Sequence, residues 1–250
     1  MFSLPNGTVE VRYCFTDGIT LSGLHNLTRI LSRGERDRSA RFMFDSDRRD
    51  FIAAHALLRT TMSQFAITEA SDWLFTTTMD GKPTVDCRMG ATYLDFNLSH
   101  TRGLVACVVA RDTNVGIDVE RVDRGVEPNN IAPFCLSSEE STYLLSRPRH
   151  AQPARLIEFW ALKEAYLKGL ACGLAIPPNA LSFHADHRGK LSCTSQLYPV
   201  APGWHFEVSV PSAGYRLAVA AQPRTKTLGG VQVSIQPVEH NGLAGAIRLE

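Results

Sequence analysis

The sequence predicts an α+β protein whose helices and strands fall into two halves. Three observations carry this reading. A long amphipathic helical pattern occurs in each half, over residues 47–65 and 154–171. Each is followed by short apolar-alternating runs of strand length. A weak internal repeat links the halves, with Arg102-Gly103-Leu104-Val105-Ala106 echoed loosely by Gly214-Tyr215-Arg216-Leu217-Ala218. A chain of 250 residues is long enough to bury one large core or two small ones.

Taken in order, Val9, Val11, Tyr13 and Phe15 alternate and predict a first strand over residues 8–15. Residues 29–49 are dense in arginine with interleaved acids, which reads as a solvated helical face with internal pairs. The helix over 47–65 presents Phe51, Ala54, Leu57, Leu58 and Met62 as its buried face. A strand over 73–78 runs into a tight turn at Met79-Asp80-Gly81-Lys82-Pro83. This Gly-Lys pair is not a phosphate-binding P-loop, because the upstream glycine is missing and Pro83 stands where Ser or Thr belongs. Residues 96–110 form a hairpin with Ser99 and His100 at its front.

The turn at 111–114 leads into an acidic strand, and residues 122–133, polar and without periodicity, read as a mobile loop. Ser137-Ser138-Glu139-Glu140 predicts the cap and first turn of a helix running to Leu145. Residues 147–153 break it before the helix over 154–171, which Gly173 ends and Pro177-Pro178 cannot continue. Residues 181–193 form a hairpin around His187-Arg188-Gly189-Lys190, and 204–210 and 215–221 are further strands. Residues 225–250 hold one strand-like alternation, Val231-Val233-Ile235, then a glycine-rich tail.

A net charge of +1 offers no basis for bulk nucleic-acid or membrane binding. The six cysteines are scattered and form no CxxC pair, which argues against a zinc or redox motif and for reduced thiols in a cytoplasmic protein. The first residues lack the regions of a signal peptide, and no apolar run approaches a membrane span.

The chemistry concentrates in two stretches. In Val115-Gly116-Ile117-Asp118-Val119-Glu120, strand alternation puts the apolar residues on one face and both carboxylates on the other. In the helix over 154–171, Trp160, Glu164 and Lys168 form one stripe and Phe159, Leu162, Tyr166 and Leu170 another. If strand and helix pack together, three carboxylates and an ammonium converge, a donor set suited to a hard cation such as Mg²⁺. Taken singly, each stretch is more simply a helix-surface pair or the wet face of an edge strand; their joint occurrence favours the site.

Gly116-Ile117-Asp118-Val119-Glu120 with Trp160-Ala161-Leu162-Lys163-Glu164-Ala165-Tyr166-Leu167-Lys168 resembles the paired signature of the 4′-phosphopantetheinyl transferases, in the form of the surfactin-synthetase type. Gly81-Lys82-Pro83 and Phe96-Asn97-Leu98-Ser99-His100 resemble two further landmarks, so the likeness covers roughly residues 30–220. The resemblance implies two pseudo-symmetric lobes, each a small mainly antiparallel sheet packed with helices, with the active site between them. The lobes would span residues 1–114, contacting coenzyme A, and 115–224, carrying metal, catalytic and docking residues, followed by the strand and tail of 225–250. It implies a monomer that moves the phosphopantetheine arm of coenzyme A onto a serine of an apo acyl, peptidyl or aryl carrier protein, releasing adenosine 3′,5′-bisphosphate.

By the same resemblance, Asp118, Glu120 and Glu164 would hold Mg²⁺, and Glu164, Lys168 and His100 would be catalytic. Arg38, Arg49, Gly81, Lys82, Pro83, Ser99, His100, Lys163 and Lys168 would contact coenzyme A. The sequence departs from the pattern at Asp50, where a basic residue is expected and Arg49 is the nearest substitute. Residues 122–133 and the helix after them are the expected carrier-docking surface. A Mg²⁺-dependent coenzyme A pyrophosphate hydrolase and a non-catalytic coenzyme A or carrier-binding module are the alternatives.

Overall fold

In a computed structural model, the alternating apolar residues of the first strand have both faces covered, because two sheets and their helices stack in layers. The structure describes residues 4–123, 128–172, 175–225, 229–240 and 243, with the side chains of 128–130 outside that description. The elements run β1 (Thr8–Phe15), α1 (Leu21–Arg29), α2 (Arg33–Ser39), α3 (Asp45–Met62), β2 (Phe75–Thr77), β3 (Pro83–Val85), β4 (Leu94–Thr101), β5 (Leu104–Arg111) and β6 (Thr113–Arg121). They continue with α4 (Pro128–Cys135), α5 (Ser138–Leu145), α6 (Gln152–Leu170), β7 (Ser182–Ala185), β8 (Leu191–Thr194), β9 (His205–Ser209), β10 (Tyr215–Pro223) and β11 (Gln232–Pro237).

One sheet has the order β11-β1-β5-β4 and the other β6-β10-β9; β2-β3 and β7-β8 are separate hairpins. Pairing is antiparallel except for β1 with β11. Strand alternation gives each sheet an inner face: Val9, Val11, Leu104, Ala106 and Val108 meet Val115, Ile117, Val119, Leu217 and Val219 in a shared core. The outer face of the first sheet, with Cys14, Val105 and Cys107, packs on α1 and α3. The outer face of the second, with Phe206, Ala218 and Ala220, packs on α6.

The two sheets also meet edge to edge, where side chains of β4 take the place of a backbone ladder. Asp95 Oδ2 accepts from Thr113 N at 3.0 Å, Asn97 Oδ1 from Ile117 N at 3.1 Å and Ser99 Oγ from Val119 N at 3.3 Å. Buried backbone N–H groups need partners, and every second residue of β4 supplies one.

α6 approaches β6 at a glycine pair. A Cβ on Gly116 would lie 2.0 Å from Ala165 O and 2.4 Å from Gly169 N, which are backbone atoms of α6. Only glycine permits that approach, and it lays one turn of α6 directly over the acidic face of β6.

A buried ion pair fixes the other side of the helix. Glu140 occupies N3 of a capping box with Ser137, the predicted start of α5. Its carboxylate also accepts from Phe183 N at 2.8 Å and from Lys163 Nζ, which donates as well to Cys135 O at 2.5 Å. Lys163 is fully buried, and burial pushes its pKa down while Glu140 opposes the shift.

Several predicted elements change. Residues 122–133 are not a loop throughout: α4 occupies Pro128–Cys135 with Pro133 inside it, and residues 124–127 lie outside the described residues. α3 begins at Asp45 and ends at Met62. The strand expected from Trp73 shrinks to β2, because Trp73 is fully buried and donates to Ser63 Oγ at 2.9 Å. α6 starts at Gln152 and ends at Leu170, capped by Ala171 in the left-handed conformation at φ 56°; Gly173 lies outside the described residues. The terminal alternation is β11, joined to β1, and Leu243 is buried in the first core. Among the described residues no helix is long and apolar enough to cross a membrane.

Two outcomes follow from this packing. Gly116→Ala lowers the unfolding free energy by about 1–3 kcal/mol or more, read from the urea midpoint, because backbone rather than a side chain must move. Lys163→Ala lowers it by about 3–5 kcal/mol by leaving Glu140 buried without its cation. A midpoint equal to that of the parent protein contradicts either account.

Candidate active site

The site is built where β4, β6 and α6 meet. Residues of β6 alternate as expected: Val115, Ile117 and Val119 enter the inter-sheet core, while Asp118 and Glu120 face α6. That face is not wet. Asp118 is 4% and Glu120 8% exposed, so both carboxylates need paired or polar neighbours.

The helical stripe provides them. Lys168 Nζ donates to Asp118 Oδ1 at 2.6 Å and also reaches Ser99 Oγ at 3.2 Å and Ile117 O at 3.3 Å. Ser99 Oγ donates to the same Asp118 oxygen at 2.9 Å. Two turns earlier, Trp160 Nε1 donates to Glu120 Oε1 at 2.8 Å. The stripe residues at i and i+8 therefore each hold one strand carboxylate, with Glu164 midway between them in the helix.

Glu164 is partly exposed and lines a cleft of about 310 Å³ with Lys168, Asn97, Asp80, Gly81, Lys82 and Pro83. The β2–β3 turn closes one side of it. Gly81 permits the turn with φ 85°, and Thr78 N bonds Lys82 O across it at 2.9 Å. Lys82 Nζ donates to Val115 O at 3.0 Å. Burial pushes the Lys82 pKa down; Asp95 opposes this and Arg224 adds to it. Arg224 forms an ion pair with Asp95, a contact for which no local sequence signal exists because Asp95 is on β4 and Arg224 follows β10, more than a hundred residues later.

His100 follows Ser99 on β4 and so points away from Asp118, toward the side of α3. The residue is exposed by its accessible surface, yet nearby protein desolvates the imidazole and holds its pKa below the ordinary value. Asp50 and Asp47 oppose that shift, whereas Lys168 and His55 reinforce it.

The remaining predicted contacts stand elsewhere. Arg38 is exposed, its guanidinium 5.2 Å from the Phe51 ring centre. Arg49 Nη2 donates to Asp17 Oδ1 at 2.6 Å, and its Nε lies 3.8 Å from Asp50. Asp50 is an anchor: buried, it accepts from Thr16 Oγ1 and, at 3.2 Å, from Gly103 N at the β4–β5 turn. Lys163 is not brought to the cleft, because its ammonium is committed to Glu140 and Cys135 on the far side of α6. Asn97, which the sequence reading did not single out as a site residue, both lines the cleft and ties it to β6.

Among the described residues no group of three or more His, Cys, Asp or Glu side chains is gathered as a ready metal-binding cluster. The chemistry of the donors still fits a hard cation. Asp118 and Glu120 are two buried carboxylates on one strand face, Asp118 already binds a cationic group in Lys168, and a third carboxylate lines the adjoining cleft.

Comparison with known proteins finds relatives along most of the chain. A family model described as 4′-phosphopantetheinyl transferase superfamily matches residues 114–220, and one described as 4′-phosphopantetheinyl transferase, N-terminal, matches residues 20–113. The 4′-phosphopantetheinyl transferase HetI of Nostoc sp. strain PCC 7120 is 30% identical over 200 residues, covering 80% of this chain and 81% of the relative. The 4′-phosphopantetheinyl transferase Sfp of Bacillus subtilis strain 168 is 26% identical over 190 residues, covering 72% and 81%. The transferase psf-1 of Bacillus pumilus is 27% identical over 196 residues, covering 74% and 81%. With two thirds or more of such relatives covered, and both of its halves matched in order, the chain belongs to the 4′-phosphopantetheinyl transferase superfamily.

Proposed function

We propose that the chain transfers the 4′-phosphopantetheine arm of coenzyme A to a serine hydroxyl of an apo carrier protein with the help of Mg²⁺, releasing adenosine 3′,5′-bisphosphate. The observation that carries this reading is the contact of Lys168 with Asp118 and Ser99 beside the cleft that holds Glu164 and Lys82. Coenzyme A laid along that cleft meets Lys168 at its pyrophosphate and Lys82 at its adenosine 3′-phosphate. Residues 1–114 then present the adenosine and its phosphates, and residues 115–224 hold the reacting centre.

In the transfer, the serine oxygen forms a bond to the β-phosphorus, and the bond from that phosphorus to the bridging oxygen breaks. Glu164 accepts the serine proton. Lys168 neutralises the charge that appears on the leaving phosphate, and Asp118 fixes the ammonium for that role. Ser99 orients both groups through its bonds to each. His100 contacts a phosphate oxygen from the side of α3, and Lys82, with Gly81 and Pro83, binds the adenosine 3′-phosphate. Asp118, Glu120 and Glu164 would hold Mg²⁺, which would supply charge neutralisation at the pyrophosphate.

The carrier docks on α4 and α5, the segment after β6. Phe134 on α4, 74% exposed, and Leu145 on α5, 70% exposed, offer apolar contacts to a helical partner.

Intact mass of an apo carrier after incubation with the enzyme, coenzyme A and Mg²⁺ tests the activity. It increases by one phosphopantetheine arm, and a chelator abolishes the gain; no gain with fatty-acid, polyketide and peptide carriers contradicts the reading. Glu164→Gln lowers the transfer rate by about 10²–10⁴-fold with an unchanged unfolding midpoint, the scale of a lost general base. Near-normal transfer by this variant removes Glu164 from the reaction.

His100 gives a pH signature. Its lowered pKa leaves it neutral at neutral pH, and an anionic ligand favours its protonated form. The advantage of the parent protein over His100→Asn in coenzyme A affinity therefore grows as pH falls from about 8 to about 6. A constant ratio, measured by calorimetry, shows that His100 does not meet a phosphate.

A further inference from the structure

Beside the β2–β3 turn lies a second cavity of about 340 Å³, whose lining includes Lys82, Asp95, Asn114, Leu170 and Arg224. Lys82, Pro83 and Ala171 line both this cavity and the cleft that holds Glu164, so the Lys82 side chain stands in the wall between the two. Which side its ammonium serves depends on the charges it meets.

Two cations compete there for one carboxylate. Asp95 Oδ1 accepts from Arg224 Nη2, and its Oδ2 accepts from Thr113 N at 3.0 Å, so both oxygens are engaged. Arg224 is held at that post by its own backbone: its N–H donates to Asp112 O at 2.9 Å, and its Nη1 lies 3.7 Å from Asp112 Oδ1. Lys82 is left with a neutral acceptor, Val115 O at 3.0 Å. Burial lowers the Lys82 pKa, Asp95 opposes the shift and Arg224 adds to it, which places all three groups within electrostatic reach of one another.

The outcome of the competition follows from the two side chains. A guanidinium stays charged, is planar and meets a carboxylate in a fixed geometry, whereas an ammonium on a flexible stem is a mobile point charge. With Arg224 in place, Asp95 is neutralised and the charge of Lys82 is left for the cleft. Without Arg224, the largely buried Asp95 would need another cation, and Lys82 lines the same cavity. The ammonium would then turn from the cleft into the second cavity.

We propose that Arg224 is a positioning residue: by occupying Asp95 it holds Lys82 toward the cleft, and so sets the preference of the enzyme for coenzyme A over 3′-dephospho-coenzyme A. The inference rests on the placement of the adenosine 3′-phosphate at Lys82 in the reading above. Arg224 acts through Lys82 and takes no part in the chemistry.

The test measures binding of coenzyme A and of 3′-dephospho-coenzyme A by calorimetry. It compares the full-length parent with Lys82→Met, Arg224→Met and the double variant Asp95→Asn with Arg224→Met, each first shown to unfold cooperatively. Asparagine keeps the oxygen that accepts from Thr113 N and removes the charge that captures Lys82. The parent prefers coenzyme A by about tenfold or more, the worth of a charge-assisted hydrogen bond. That ratio falls toward one in Lys82→Met and in Arg224→Met, with affinity for the dephospho form unchanged, and returns toward the parental value in the double variant. A merely structural role for Arg224 weakens both ligands together and gains nothing from the second substitution.

An unchanged ratio in Arg224→Met overturns the proposal, as does equal weakening of both ligands or a ratio that the double variant fails to restore. A parent that binds both ligands alike, or an unchanged ratio in Lys82→Met, takes the phosphate away from Lys82 and overturns it too. The expected ratios, with no transfer from coenzyme A to any carrier, uphold the role of Arg224 and contradict the transfer reading instead.

Discussion

The structure depends on how the edge of one sheet is joined to the edge of another. β4 and β6 share no backbone ladder; Asp95, Asn97 and Ser99 accept the N–H groups of Thr113, Ile117 and Val119 instead. A ladder would direct those three side chains elsewhere and bring the strands to ladder spacing. Side-chain bridging leaves polar groups of β4 beside the acidic face of β6, so one set of residues closes the core and furnishes the site. Ser99 illustrates both uses, accepting from Val119 N while it donates to Asp118. The glycine approach of β6 to α6 completes the arrangement by bringing Lys168 within bonding distance of that carboxylate.

Burial makes these contacts consequential. Asp118 and Glu120 are both nearly closed to solvent, and a buried charge without a partner is costly. Each has a donor from α6, at 2.6 Å and 2.8 Å, so the acidic face is held ready rather than collapsed. Lys163 meets the same requirement on the opposite side of the helix through Glu140. One helix thus carries two lysine pairs of different use: the half-buried Lys168 reaches a cleft, and the fully buried Lys163 only a core.

Much of this was legible because it follows from short periods. Period two put Asp118 and Glu120 on one face, and a spacing of four put Trp160 and Lys168 on another. The capping box at Ser137 and the hairpins at 94–111 and 182–194 are likewise local patterns. What depended on remote partners was not legible. Lys163 adjoins Glu164 in the chain, yet residues one apart on a helix point about 100° from each other, and it turned to Glu140. Asp50 resembled a missing basic residue because nothing nearby showed that Thr16 and Gly103 would claim it. α4 was hidden by its asparagines and by Pro133, and the alternation at β11, though visible, carried no sign of its parallel pairing with a strand more than two hundred residues earlier.

The central claim is that the buried carboxylate of β6 takes part in a metal-assisted transfer. Its most direct test is the dependence of transfer rate on Mg²⁺ concentration in the parent protein and in Asp118→Asn, with both shown to be folded. The account predicts saturation by Mg²⁺ in the parent, and in the variant a requirement shifted to far higher concentration or a rate near zero. Identical Mg²⁺ dependence in the two proteins would contradict it.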